Sequence, residues 1–390
     1  MRAIVVGAGI GGLAATLSLR RARHEVTLIE QTPRLTEAGA GIQLAPHATR
    51  VLRRLDLLDA VAAQAARPSG MSFRTWSDGA EICRYTLGRE AEEAFGAPYL
   101  QVHRADLQHA LAATVPPRSM RLNTPVVGID QDDEGACVTT ASGERLEADL
   151  VVAADGVRSA ARQWLFGADE ALFSRTAAYR ALLPVDEVAD LDLPDTGVWL
   201  GPDRHFVHYW VRGGELLNVV AVFRTEAAQE SWTARAEPGE QLREFDGWDS
   251  RVLTVLARAG QVFRYGIHTR VPLARWNIGR VTLLGDSAHA MVPFQAQGAA
   301  QALLDAAVLG DVLAGATPAE VPDALDRYVR RRLAAATSTQ ATSARTGEDF
   351  HLPDGPEARA RNARMAAYAA EHGFMPQATT WAADAPDEQV

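Results

Sequence analysis

An α/β protein, built as a discontinuous βαβ domain with an inserted antiparallel sheet and a helical C-terminal tail, is the fold class this sequence predicts. Three observations carry it. A short apolar strand from Arg2 runs into Gly7, Gly9 and Gly12 and then into a helical pattern, LAATLSLRRA. Residues 70–90 and 170–275 alternate or bunch apolar and β-branched residues between turn signals such as Gly213-Gly214, as antiparallel strands do. From residue 279 the βα character returns, so the sheet-rich stretch interrupts the first domain instead of following it. This divides the chain into 1–69, 97–169 and 276–345 for the βα domain, 70–96 and 170–275 for the insert, and 346–390 for the tail.

The opening unit has a chemical reading. In GAGIGG, Gly7 allows a tight turn, Gly9 lets a pyrophosphate approach the backbone, and Gly12 lets helix and strand pack closely. The helix amino terminus then offers free N–H groups and a positive dipole end to the phosphates. A second strand, EVTLIE, ends at Glu30, where a ribose-binding acid is expected. An acid there suits an adenosine with a free 2′-hydroxyl, so FAD or NAD is favoured over NADP at this position. Next comes a loop, Gly39-Ala40-Gly41, which permits close backbone approach to something flat, and then a core-facing helix with Val51, Leu52, Leu55 and Leu58.

Composition narrows the function. The 390 residues carry a net charge of −10, which provides no basic surface for nucleic acid and no polybasic membrane patch. All 39 basic residues are arginine, so mechanisms needing a lysine amine are excluded. Cys83 and Cys137 are far apart, which fits a reducing compartment and removes dithiol and cysteine-rich zinc chemistry. No uncharged run is long enough for a membrane span, and the expectation is a cytoplasmic protein without a metal site.

Three later motifs follow. VHRADLQHALAATV reads as a helix entered through Arg104 and Asp106. RLEADLVVAADGVRSAAR is a buried strand ending at Asp155-Gly156, and GRVTLLGDSAHAMVPFQAQGAAQALLDA is a strand, a Gly285-Asp286 corner and a helix opening on Gly298. No second GxGxxG is present, so a single tightly held dinucleotide and a small substrate are expected.

In this order the motifs resemble those of the FAD-dependent aromatic monooxygenases, single-component flavoprotein hydroxylases, over about residues 1–345. The similarity is to the salicylate, 3-hydroxybenzoate and 6-hydroxynicotinate hydroxylases. It implies bound FAD, transient NADH or NADPH, and O2 added at the flavin C4a position, whose distal oxygen is transferred to a small aromatic acid. It also implies cofactor contacts from Gly7, Gly9, Gly12, Glu30, Gly41, Arg104, Asp155, Gly156, Asp286, Gly298 and Ala299. Asp286 would bond the ribityl hydroxyls, and the Gly298 and Ala299 N–H groups would face the anionic edge of the reduced ring.

Hydroxylation needs the ring activated, and a phenolate is far more nucleophilic than a phenol. In DRHFVHYWV, His205 and Tyr209 share one face of a strand, with His208 on the other. By the resemblance the two line the substrate site, with His205 as the base and Tyr209 as a hydrogen-bonding partner. Gln43, Phe294 and Gln295 are expected over the flavin, and Arg180 is a candidate for a substrate carboxylate. His289 is read as structural, and the segment from Phe350 onward as a helical tail without chemistry. An FAD-linked epoxidase or oxidase acting on a non-phenolic substrate is the alternative on the same fold. A plain NAD dehydrogenase would leave the Gly285-Asp286 corner unexplained, and a non-catalytic nucleotide-binding or regulatory protein would be colourless, or yellow and never bleached by NADH or NADPH. Either a monomer or a homodimer is compatible with the sequence.

Overall fold

The architecture comes from a computed structural model, which describes residues 1–35, 40–167, 169–227 and 234–383. Gly39 of the expected glycine run lies outside these.

The βα domain is organised by a six-stranded sheet in the order Asn277–Ile278, Val281–Leu283, Leu150–Ala153, Arg2–Val6, Glu25–Ile29, Met120–Arg121. All pairs are parallel except the first. Such strands, covered on both faces, read as continuous apolar runs, and Ile4, Val5, Leu28, Val151, Val152 and Leu283 are all buried. The register decides where chemistry collects. Val6 lies opposite Ile29 and Ala153, and Ala153 opposite Leu283. The residues that follow, Gly7, Glu30, Asp155 and Gly285, therefore leave the same edge, the carboxyl ends of parallel strands where open α/β sheets bind ligands.

Two helices lie against this edge, and small residues let them meet. A Cβ on Gly11 would sit 2.9 Å from Leu284 Cδ2 and 3.2 Å from Ala302 Cβ, and one on Gly310 2.9 Å from Ser18 Cβ. The helix Ile10–Arg21 thus packs closely along Gly298–Leu313.

The second layer is a seven-stranded sheet in the order Phe263–Thr269, Leu172–Pro184, Leu216–Arg224, Arg204–Val211, Thr196–Gly201, Gly70–Thr75, Glu81–Thr86. Side chains alternate across it. Tyr179, Trp199, Phe206, Val219 and Phe223 form a core with Val252, Val255 and Leu256 of the helix Ser250–Arg258. The opposite face carries Arg180, His205, Tyr209, Val220 and Val222. Its rows are aligned by register: His205 pairs with Val222, Val207 with Val220, and Tyr209 with Asn218, while Arg180 pairs with Val220 from the far side.

One element departs from expectation. Residues Gly41–Leu44, expected as loop, form a strand paired antiparallel with Leu100–His103. Four residues beginning with glycine carry too little periodicity to announce it.

The tail is built from a 30-residue helix, Val321–Phe350, then Pro356–His372 and Ala378–Ala383. Trp381 is 1% exposed and meets Phe95 and Tyr99 edge-on and tilted, which seals the tail against the body. No helix among the described residues is long and apolar enough to cross a membrane.

Candidate active site

The nucleotide end is shaped by glycines of two kinds. A Cβ on Gly7 would lie 2.4 Å from the Ala154 carbonyl oxygen, and one on Gly12 1.9 Å from that of Gly7, so both are required by packing. Gly7 also adopts φ +100°, a backbone region where side chains are strained. A Cβ on Gly9, Gly156 or Gly298 would meet nothing within 4 Å. These three face open space at the edge where the motifs converge, which is the room a dinucleotide needs.

Glu30 serves the loop as well. Its Oε2 accepts from the Ala8 N–H at 2.8 Å and its Oε1 from the Thr32 N–H at 2.8 Å. A carboxylate has about four acceptor sites, so capacity for ribose hydroxyls remains. Asp155 accepts from the Ala161 N–H at 3.1 Å, and burial pushes its carboxyl above the usual range. Asp286 is the single exposed residue in the otherwise buried run 281–290. It is thus open to a ligand at the corner, as binding a polyol chain requires. The residues present fit FAD.

The corner rests on a buried network that the sequence did not announce. The Gly285 N–H donates to Asp305 Oδ2 at 3.0 Å, His289 Nε2 lies 2.5 Å from the same oxygen, and Arg332 Nε donates to Oδ1 at 2.8 Å. The flanking cations hold the Asp305 carboxyl down to about 2, against burial, the largest influence, which acts the other way. His289 thus has a place in supporting the corner. Across the groove, the buried Arg162 donates to the Ala288 and Val271 carbonyls at 2.9 and 2.6 Å and pairs with Asp169, tying the Asp155-Gly156 segment to the corner.

The sheet face opposite this groove brings together most of the expected substrate residues. His205, 3% exposed, is set among Phe294, Phe350 and His351, with ring centroids 5.3, 5.5 and 4.9 Å away. Burial first, and then His351, lowers its pKa well below the ordinary value, so the imidazole is neutral. Tyr209 is buried too, and burial raises its hydroxyl above the ordinary range, so it remains a donor. Arg180, 5% exposed, lies 4.3 Å over the Tyr265 ring, and its charge acts on Tyr209.

Gly41 proves to accommodate Tyr209: a Cβ there would be 2.5 Å from Tyr209 Cε2, and its N–H donates to Asn218 Oδ1 at 2.6 Å. The flat object that the glycine admits is this tyrosine ring. Gln43 is buried and accepts from the Tyr99 hydroxyl at 2.7 Å. Gln295 has both ends of its amide engaged by the long helix, donating to Thr346 Oγ1 at 2.9 Å and accepting from Thr342 at 3.3 Å. It therefore faces that helix, away from the sheet, while its neighbour Phe294 packs on the Val220, Val222 and Tyr265 cluster. Arg104 opens the helix Arg104–Ala113, its N–H donating to the Ala40 carbonyl at 2.8 Å. His208 lies on the sheet's other face against Trp199. Among the described residues, no cluster of three or more His, Cys, Asp or Glu could hold a metal ion.

Residues 1–343 match the family model described as the FAD binding domain. The chain is 38% identical over 366 residues to a 3-amino-4-hydroxybenzoate 2-monooxygenase of Streptomyces platensis, covering 93% of this chain and 92% of that protein. It is 35% identical over 312 residues to a 6-hydroxynicotinate 3-monooxygenase of Bordetella bronchiseptica, covering 79% and 81%. Among solved structures, HpxO of Klebsiella pneumoniae complexed with FAD and uric acid superposes with a TM-score of 0.88 at 24% identity, over 99% of this chain and 97% of that one. At that identity the likeness concerns the fold.

Proposed function

Because the chain belongs to the FAD binding domain family, and its relatives include aromatic-acid monooxygenases, we propose that it is an FAD-dependent monooxygenase that hydroxylates a small phenolic acid using NADH or NADPH and O2. One observation carries the substrate class: a buried histidine, His205, and a buried arginine, Arg180, share one face of the seven-stranded sheet.

Their spacing defines an orientation. His205 and Tyr209 are four residues apart on one strand, about 13 Å along its axis. Arg180 lies two strands across, level with Val207, about 10 Å away. In this reading a benzoic acid with a ring hydroxyl would be held with its carboxylate toward Arg180 and Tyr209 and its hydroxyl toward His205. Phe294, which packs on Val220 and Val222 beside His205, would border the ring. With no lysine in the chain, arginine is the residue suited to bind the carboxylate.

Bound FAD supplies the oxygen-transfer chemistry, which the protein itself does not contain. The side chains bind, orient and activate. His205 accepts the phenolic proton, which raises electron density at the ring carbons ortho and para to that oxygen; general-base help of this kind is worth about 10²–10⁴ in rate. Tyr209 donates to the carboxylate, and Phe294 and Phe350 keep water from the ring. Gly9, Glu30, Asp286 and the amino terminus of Gly298–Leu313 hold the FAD.

The test is stopped-flow reduction of the FAD-loaded protein by NADH and by NADPH, with and without hydroxybenzoates, aminohydroxybenzoates and hydroxynicotinates. Acceleration by one phenolic acid, with a hydroxylated product after O2 is added, is the expected result. Reduction indifferent to every aromatic acid would overturn the proposal.

A further inference from the structure

The tail enters the active site at one point. His351 caps the helix Val321–Phe350, beyond residue 343 where the family match ends. Its Nε2 lies 2.7 Å from His205 Nδ1, and both rings are 3% exposed. The backbone holds it from two sides, its N–H donating to the Gly347 carbonyl at 3.2 Å and its carbonyl accepting from the Asp203 N–H at 3.1 Å.

A hydrogen bond between two neutral imidazoles has one proton, so it fixes one tautomer of each ring. Nδ1 of His205 is committed to His351, which leaves Nε2 as the only ring nitrogen available to a substrate hydroxyl. For Nε2 to accept a proton, Nδ1 must carry one. We propose that His351 is the positioning residue for His205: it accepts from Nδ1–H, keeps the Nε2 lone pair free for the substrate, and provides the exit for the proton taken up. This rests on the reading of His205 as the base.

The steps balance. The phenolic O–H bond breaks, its electron pair stays on the phenolate oxygen, and an N–H bond forms at His205 Nε2. The Nδ1–H bond of His205 then breaks as an N–H bond forms at His351 Nε2, and His351 releases its Nδ1 proton to water. The surroundings favour departure. His205 sits among Phe294 and Phe350, and among the described residues no carboxylate is paired with it. Around His351 stand Arg204 and Arg224 on the sheet and Arg361 on the helix Pro356–His372, whose charges, after burial, oppose its protonation. Arg204 is paired with Glu244, Arg224 with Asp203 and Glu348, and Arg361 donates to the Asp349 carbonyl.

Two measurements test this. In the FAD-loaded protein with ¹⁵N-labelled histidine, His205 is expected as the Nδ1–H tautomer, and His351→Leu should release it to a mixture. His205 found as the Nε2–H tautomer in the unaltered protein would overturn the proposal without reference to any substrate. The second is the pH profile of 3-amino-4-hydroxybenzoate hydroxylation, together with the phenolate absorbance of the bound probe. His351→Leu should lower kcat at neutral pH about ten- to a hundred-fold and move phenolate formation to higher pH, with reduction of the flavin changed less than about twofold. His351→Gln can accept from Nδ1–H but cannot relay a proton, so it should restore probe affinity while kcat stays low. If His205→Gln alters the profile and neither His351 variant does, this inference fails and the base survives. If His205→Gln leaves the profile unchanged, the base assignment itself fails.

Discussion

Replacing Arg180 with methionine removes a charge while keeping most of the side chain's length. The guanidinium is buried over Tyr265, on the face that carries His205 and Tyr209. Truncating one partner of a buried, hydrogen-bonded charge pair costs about 2–5 kcal/mol. At about 1.4 kcal/mol per decade, Kd for a carboxylate ligand should rise from about thirty-fold to a few thousand-fold. The lost stacking on Tyr265 accounts for about 1 kcal/mol of stability at most, so FAD content and Tm serve as controls. The assay is titration of the oxidised protein with 3-amino-4-hydroxybenzoate and with its carboxamide, followed by the flavin absorption band. The acid should lose affinity in Arg180→Met while the amide changes less than about threefold. If both ligands weaken equally, Arg180 shapes the pocket without reading the charge. If neither weakens, the carboxylate is bound elsewhere.

Three further outcomes follow from the same geometry. His205→Gln should retain FAD and reduction of the flavin but lose product formation by about 10²–10⁴, measured as hydroxylated product per NADH consumed. Gly9→Ala places a methyl group in open space and Gly12→Ala places one 1.9 Å from a carbonyl oxygen, so thermal melts without FAD should show only the second losing stability, by about 1–3 kcal/mol. Flavin retention should fall in both. His208 is buried with neither ring nitrogen hydrogen-bonded, and burial lowers its pKa to about 3. A depressed pKa means that the unfolded chain takes up the proton first, so the stability linked to this group is present above about pH 6.5 and is lost as pH falls toward 3. Between pH 7 and pH 5 that is about 2 kcal/mol, the slope approaching 1.36 per unit below pH 6.5. His208→Leu should therefore lose correspondingly less stability over that interval in denaturant melts at pH 7 and pH 5.

What could be read from the sequence was what is local or periodic. The strand–glycine–helix unit at Arg2–Arg21 is legible because each glycine's role follows from its spacing, and the shared face of His205 and Tyr209 follows from the two-residue period of a strand. The strand Gly41–Leu44 was missed because four residues carry no period, and the partner of Gly41 is His103, 62 residues away. Asp305 was passed over as an interior residue of an apolar helix; only its contacts with His289 and Arg332 give it a purpose. His351 had no motif at all. Its partner is 146 residues distant, and nothing local marks a histidine after a helix as part of a site. Gln295 misled for the opposite reason, since a place beside Phe294 in the chain does not set which way its amide turns.

The helix Val321–Phe350 measures about 45 Å and touches both halves of the chemistry. Arg332 grips Asp305, the support of the Gly285-Asp286 corner, and 19 residues later His351 meets His205, the proposed base, about 28 Å away along the helix axis. The helix is therefore a ruler. One residue added or removed between these two points would turn everything beyond it by 100° and carry His351 off its partner, with no change at either site. Exchanges of the tail between relatives should keep this interval whole, with the junction placed before Arg332 or after His351.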